Sequence, residues 1–376
     1  MRKTNLLVDG HFLTGLGQGT RTYIIGLYNS LIEHYGDFYN LYVSGHSIED
    51  VLSNINISPG NFLEYQYRSN YSRLTFELPY LIKKNDIEFA HFQQIAPFIK
   101  NCRHITTVHD VLFNDFPEHF SSSFRVSRNY LFKRSLKKSE LKLTVSDYSK
   151  KKISQYFKIP ESEIYVTPNG VEEKYFEDFS KQNSNLYLKK KYNLPQYVLY
   201  VSRLESRKNH IGLLKAFLQS KLVEKNWHLV FVGKETEKEI AFHQMLDSLN
   251  EELRTTIHHF ENVSDSELIQ FYRGADLFVY PSLAEGFGIP PLEAAACKVP
   301  VLCSNRTAMS DFRKLGITMF DPEDEDQFVK RLNQFTKSGA LRNTSNVEDI
   351  SKEVEEKYSW SASATILHNL IQDSRA

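Results

Sequence analysis

Cysteine is scarce in this chain: three residues among 376, at Cys102, Cys297 and Cys303. So few, so scattered and without a CxxC pair, they suit neither a disulfide framework nor a four-ligand zinc site, and a reducing compartment is expected. An excess of either charge is lacking too. Lys plus Arg equals Asp plus Glu at 46 each, so the global balance demands no polyanion such as nucleic acid as a partner. The opening segment MRKTNLLVDG lacks a long apolar run, since Asp9 interrupts it well short of a signal-peptide core or a membrane span. A cytoplasmic location is the expectation. Tandem repeats and low-complexity tracts longer than Ser121 to Ser123 are also missing, which removes solenoid architectures.

Hydrophobic residues make up 41% and charged residues 24%, enough apolar surface to offset the ordering of a globular backbone. The length exceeds one ordinary core and suits two α/β domains. Short β-branched or aromatic runs alternate with longer amphipathic stretches, the pattern of parallel strands joined by crossover helices. Strands are expected at Asn5 to Asp9, Asn40 to Val43, Glu88 to Phe92, Ile105 to His109, Leu141 to Ser146 and Ile164 to Thr167. The second half repeats the scheme at Tyr197 to Ser202, His228 to Val232, Leu277 to Tyr280 and Pro300 to Ser304. These divide the chain into an N-terminal domain at 1–175, a polar linker at 176–196 and a C-terminal domain at 197–355. A last helix at 356–376, with Trp360, Ala364, Leu367 and Leu370 at helical spacing, is expected to pack back on the N-terminal domain.

The sharpest local feature is the run from Tyr280 to Ala294, YPSLAEGFGIPPLEA, a strand end passing through glycines into a proline-started helix. Ligands of open α/β sheets bind at that edge. Gly286 and Gly288 let backbone amides approach a phosphate closely, and Pro290 or Pro291 presets a first helical turn whose N-terminus suits an anion. Glu285 and Glu293 can then accept hydrogen bonds from paired hydroxyls. A basic segment, Arg203 to Lys208, follows the first strand of the same half, and a glycine-rich stretch from Thr14 to Gly19 opens the first helix.

The run around Glu285 and Glu293 resembles the E-x7-E signature of the family-4 glycosyltransferases, in its setting PS-x-x-EGFG-x-P-x-x-EA. Further resemblances are Val201-Ser202-Arg203-Leu204 through Lys208-Asn209 to the family's GR-L-x-x-x-K-G segment, with Ser202 and Asn209 in place of the glycines, and Thr14 to Tyr23 to its TG-x-G-x-Y loop. Val108-His109-Asp110 resembles a strand end of that family. The likeness extends from Asp9 to the region of Trp360. It implies an α/β fold with two Rossmann-like doubly wound domains facing a cleft, the GT-B fold, and retaining transfer of a hexose.

By the same resemblance, Glu285 contacts the donor sugar, Glu293 the ribose, and His109 the reacting sugar. Arg203 and Lys208 neutralise the diphosphate, with Arg207 as the alternative to either cation. Gly15, Gly17, Val263, Gly286, Phe287, Gly288 and Ile289 complete the donor site. No metal and no cofactor are expected, because cations and amides stabilise the leaving group. The donor is expected to be a UDP-hexose, with GDP-mannose as the second choice. The acceptor is a saccharide or a lipid-linked saccharide.

Asp324-Glu325-Asp326 spells the DxD of metal-dependent transferases, yet it starts an expected helix, where acids favour the dipole. From Arg125 to Lys152 ten Lys or Arg stand against Glu140 and Asp147, a local excess that suits acidic lipid at the inner membrane as well as a solvated helical face. Two rival functions compete with transfer. A dinucleotide oxidoreductase fails on spacing, since Thr20 occupies the last glycine position of GxGxxG. A silent sugar-nucleotide-binding partner in a polysaccharide assembly cluster is the alternative to catalysis.

Overall fold

A computed structural model describes residues 2–13, 18–235, 238–336 and 344–375. The chain forms two compact units, residues 1–170 with 359–376, and residues 171–358.

In the first unit the described strands are β1 (Thr4–Asp9), β2 (Tyr39–Gly45), β3 (Phe62–Glu64), β4 (Phe89–Gln93), β5 (Arg103–Thr107), β6 (Leu141–Thr144) and β7 (Ile164–Val166). They lie in the order 3-2-1-4-5-6-7 and every neighbouring pair runs parallel. Helices cover both faces of such a sheet, so its strands are apolar throughout instead of alternating. Accordingly Leu6, Leu7 and Val8 of β1 are all fully buried.

In the second unit β8 (Tyr197–Val201), β9 (His228–Val232), β10 (Ile257–Phe260), β11 (Leu277–Tyr280), β12 (Val301–Ser304) and β13 (Thr318–Phe320) lie in the order 10-9-8-11-12-13, again all parallel. Each sheet reverses its strand order once, between β1 and β4 and between β8 and β11. The crevice outside the C-terminal strand ends at such a reversal is where open α/β sheets bind ligands.

The last helix, Trp360–Asp373, is capped by Ser359 and belongs to the first unit, where it lies on the helix Gln18–Tyr35. His368 stacks on Tyr35 at 4.0 Å between ring centroids and meets the Tyr39 hydroxyl at 2.9 Å. Trp360 sits so close to Gly26 and Gly170 that a Cβ on either would fall 2.1 or 2.4 Å from it. Neither position has room for a side chain.

One expectation is corrected, and three strands are added. Residues 176–196 are not a bare linker: they carry the helix Lys181–Tyr192, capped by Ser180 and closed by Asn193 in the left-handed conformation. That helix packs on the helix Asp265–Gly274 of the same unit. The lysines that made the stretch read as polar lie on its outer side, and Leu188 is buried beneath. The Glu267 carboxylate of that second helix accepts from Lys191, Tyr187 and Tyr192 and ties the two helices together. Finally β3, β10 and β13 went unread, being only three or four residues long.

Candidate active site

Two loops meet at the reversal point of the second sheet. The first leaves β8 through Ser202 and Arg203, makes a 3₁₀ turn at Ser206–Lys208 and enters the helix His210–Gln219 through Asn209. Asn209 adopts φ +58°, a left-handed conformation that asparagine tolerates better than most residues. Its Oδ1 accepts the Gly212 N–H at 3.2 Å and so caps the helix. Gly233, at φ +148°, lets β9 approach this loop, since a Cβ there would stand 2.0 Å from the Ser202 carbonyl oxygen.

The second loop leaves β11 at Tyr280 and reaches Glu285, whose buried carboxylate accepts from four side chains, only one of them on Oε2 among the described residues. Lys208 Nζ donates to its Oε1, and the Arg207 guanidinium donates to Oε2 at 3.1 Å. The hydroxyls of Tyr280 and Ser282 donate to Oε1 at 3.0 and 2.9 Å, while the Glu285 N–H donates to Thr307 Oγ1 at 2.9 Å. Burial by itself would raise this carboxyl, but the Lys208 and Arg207 charges outweigh it and hold it down at about 2. Burial pulls the Lys208 ammonium below its ordinary range against the opposing effect of Glu285.

Arg203 and Arg207 exchange emphasis relative to the sequence reading. Arg207, the alternative there, is the arginine that touches Glu285. Arg203 instead lies beside Glu205 at 3.5 Å, and Arg207 reaches the same Glu205 at 3.0 Å. Arginine spacing alone did not distinguish them, because the 3₁₀ turn that points Arg207 inward is not visible in a run of polar residues.

Beyond Glu285 the chain passes through Gly286, Phe287 and Gly288, the last at φ +98°. Helix Pro290–Ala296 has only seven residues, its first two positions are prolines without an N–H, and the Leu292 and Glu293 amides both donate to the Ile289 carbonyl. An anion site made of helix-start amides, as the sequence suggested, is therefore corrected. The amides of Phe287, Gly288 and Ile289 have no protein acceptor among the described residues, so the donors an anion could use lie on the loop. The Phe287 ring itself packs on Phe312 and Tyr358.

Glu293 is partly buried one turn into this helix, and Tyr272 donates to its Oε2 at 2.6 Å. Burial raises its carboxyl to about 7 against the hydrogen bond from Tyr272. Tyr272 went unnoticed as a partner because it arrives from a different helix. Val263 lies past the C-terminal end of β10, at the far side of the same sheet edge. Gly15 and Gly17 lie outside the described residues.

In the first unit His109 follows β5 and is buried, which lowers its imidazole to about 4 and keeps it neutral. Gln93 Nε2 faces His91 Nε2 at 3.4 Å, which leaves Gln93 Oε1 to accept from His109 Nε2–H at 2.9 Å. The lone pair of His109 is then on Nδ1. At the end of β1 the buried Asp9 takes both oxygens to the buried Arg73, at 2.7 and 2.9 Å, and accepts from Tyr65 at 2.7 Å and from His11 at 2.8 Å. Burial opposes ionisation of Asp9, yet Arg73 and His11 keep the carboxyl well below its usual range. No sequence signal marked Arg73, which sits in a single π-helical turn at Arg73–Glu77.

Asp324 caps the helix Glu325–Thr336 through its Oδ1 and the Gln327 N–H at 2.9 Å. Among the described residues no group of three His, Cys, Asp or Glu side chains is placed to hold a metal ion, and no helix is long and apolar enough to cross a membrane.

Residues 185–350 match the family described as Glycosyl transferases group 1, and residues 22–175 match Glycosyltransferase Family 4. The chain is 30% identical to O-antigen chain mannosyltransferase B of Escherichia coli over 260 residues, which is 69% of this chain and 67% of that protein. It is 30% identical to O-antigen chain mannosyltransferase RfbU of Salmonella typhimurium over 242 residues, 63% and 62% of the two. The match thus spans about two thirds of the length of these relatives. Among solved structures, a glycosyltransferase from Rickettsia africae superposes with a TM-score of 0.76 at 19% identity, covering 99% of both chains. That likeness is one of fold.

Proposed function

The chain belongs to the family 4, group 1 glycosyltransferases, and from that premise we propose that it is a retaining, metal-independent hexosyltransferase of surface polysaccharide biosynthesis. Its donor is a nucleoside diphosphate sugar held by residues 171–358, and its acceptor is a saccharide or lipid-linked saccharide. The observation that carries this reading is the buried Glu285 carboxylate. It is held between Lys208 and Arg207 at a sheet reversal point, next to three loop amides with no protein acceptor.

Such a site is organised for charge that develops on a leaving diphosphate. Lys208, Arg207 and the amides of residues 287–289 would take the phosphate oxygens, and Glu285 would accept from sugar hydroxyls. Glu293, once ionised, would accept from the ribose hydroxyls. The bond from the anomeric carbon to the phosphate oxygen breaks as the acceptor oxygen attacks from the same face, and the departing oxygen takes the acceptor proton. No carboxylate nucleophile is needed. The work is mostly positioning and electrostatics. Neutral His109, with its Nδ1 lone pair fixed by Gln93, would accept from a sugar hydroxyl.

The two curated relatives are named O-antigen mannosyltransferases, which supports a mannosyl donor and moves GDP-mannose ahead of the UDP-hexose expected from family frequency. Contact with the inner face of a membrane, through the basic stretch 125–152, belongs to the same reading. Thermal shift with GDP-mannose, GDP, UDP-glucose and UDP in EDTA is the test. A ligand at about 100 times its Kd stabilises by about 2.7 kcal/mol. Stabilisation by none of the four would sink the reading, and turnover of the stabilising donor separates the enzyme from a silent binder.

A further inference from the structure

Thr307 holds an unusual backbone conformation for its side chain. Its φ is +48°, in the left-handed region, where a side chain branched at Cβ crowds its own backbone. Of the non-glycine residues at positive φ among the described ones, four are asparagines and Thr307 alone is branched at Cβ. Glycine or asparagine would occupy such a position with less strain. A strained residue persists where its surroundings over-determine it, and such residues gather at functional sites.

The surroundings of Thr307 do over-determine it. The turn that carries it leaves β12 at Ser304, and the Arg306 N–H donates back to Ser304 Oγ at 3.1 Å. The Arg306 guanidinium engages both oxygens of Asp321, at 3.0 and 3.1 Å. On the other side the Ser310 hydroxyl donates to the Thr307 carbonyl at 2.7 Å.

The conformation sets this turn against Glu285. Thr307 Oγ1 accepts the Glu285 N–H at 2.9 Å, and the Ala308 N–H reaches the Glu285 carbonyl at 3.4 Å. The Glu285 backbone is thus held by one turn, whereas its carboxylate is held by Lys208, Arg207, Tyr280 and Ser282. Lys208 and Arg207 are the cations that a bound diphosphate would draw to itself. With a donor in place, the carboxylate loses its two charged restraints and the backbone contact remains. The amides that follow are backed separately: a Cβ at Gly288 would lie 3.5 Å from Met309 and 3.7 Å from Phe312, and the Phe287 ring meets Phe312 at 5.7 Å. Thr307 therefore acts on Glu285 and not on the amides beyond it.

We propose that Thr307 is a positioning residue for transfer, which holds the Glu285 backbone in place while the diphosphate occupies Lys208 and Arg207, and so aligns the Glu285 carboxylate on the donor sugar. This rests on the reading of Glu285 as the residue that meets the sugar. A purely structural tie between two loops would instead make stability and activity fall together.

Three variants separate these roles. Thr307→Val keeps the branched shape and removes the acceptor, Thr307→Ser keeps the hydroxyl, and Thr307→Gly removes the hydroxyl and relieves the backbone. Turnover is measured with GDP-mannose or UDP-glucose, whichever the parent uses, beside titration of the matching nucleoside diphosphate and thermal melts. Thr307→Val and Thr307→Gly should lose about tenfold or more in kcat, the loss expected when a buried N–H is left without its acceptor. Their Kd for the bare diphosphate should stay within about twofold of the parent, a change of less than 1.4 kcal/mol. Thr307→Ser should recover most of the lost turnover. Thr307→Gly should melt at or above the parent although it turns over slowly, and it carries the test if Thr307→Val fails to fold. Unchanged kcat in Thr307→Gly overturns the proposal and leaves the reading of the site standing. Parallel losses of diphosphate affinity, melting midpoint and kcat overturn it in favour of a structural tie. A parent that neither binds nor turns over either donor removes the reading of the site, and the role of Thr307 with it.

Discussion

At the scale of single residues, the arrangement around Glu285 separates two arginines that sequence could not. Arg207 donates to both Glu285 and the Ala284 carbonyl, whereas among the described residues Arg203 is held by Glu205 alone. A hydrogen bond to a charged group contributes about 1.5–3 kcal/mol. Arg207→Ala should therefore weaken nucleoside diphosphate binding by roughly tenfold or more, and Arg203→Ala by distinctly less, as read by isothermal titration. The reverse order would return Arg203 to the role the family resemblance gave it.

Glu293 makes a second residue-scale prediction. Burial holds it at about 7, and only the ionised form offers both oxygens as strong acceptors to a pair of ribose hydroxyls. Donor affinity should accordingly rise with pH through about 7 and level off above it, and Glu293→Gln should flatten that profile. Stability runs the other way for this residue. The folded chain keeps a proton that the unfolded chain releases, so its contribution falls as pH climbs from the ordinary carboxylate range to about 7. Glu285, held at about 2, contributes stability above the ordinary carboxylate value and loses it as pH falls toward about 2.

At the scale of elements, hydrophobic runs of five or six residues were legible because a parallel strand covered on both faces is apolar along its whole length. β1 and β8 are such runs, with Leu6 to Val8 and Tyr197 to Tyr200 buried. The helix Lys181–Tyr192 was not legible, since it buries only a narrow stripe through Ser184 and Leu188 and its lysines resemble a linker. Edge strands such as β13 fail for a related reason, being too short to show a period.

Packing between elements also reverses what local propensity says about Gly26. In the middle of the helix Gln18–Tyr35, Gly→Ala would ordinarily gain about 1 kcal/mol of helix propensity. Here a Cβ would fall 2.1 Å from the Trp360 ring, and overpacking of a tight contact costs about 1–3 kcal/mol. The clash should win. Urea unfolding of Gly26→Ala is expected to show a net loss of stability, and a gain would mean that the final helix does not press on this one.

At the scale of the whole molecule, the division of the chain does not follow its linear order. Residues 359–376 complete the first unit although they follow the second in sequence. Trp360 at helical spacing announced that the tail must pack, but Gly26 and Gly170, the two bare positions that receive it, had no such marker. The second unit, residues 171–358, is by contrast contiguous in sequence and contains Glu285, Glu293, Arg207 and Lys208 together. A fragment of residues 171–358 should thus fold and bind the nucleoside diphosphate within about tenfold of the full chain, a difference of about 1.4 kcal/mol. A fragment ending at Gly170 should be markedly less stable than the same fragment supplied with residues 359–376 as a peptide, because the groove for Trp360 would otherwise lie open to water. Thermal melts of both fragments, with nucleotide and with peptide, check the two halves independently. A fragment 171–358 that folds but ignores nucleotide would show that binding depends on residues of the first unit, with Gly15 and Gly17 the first positions to examine.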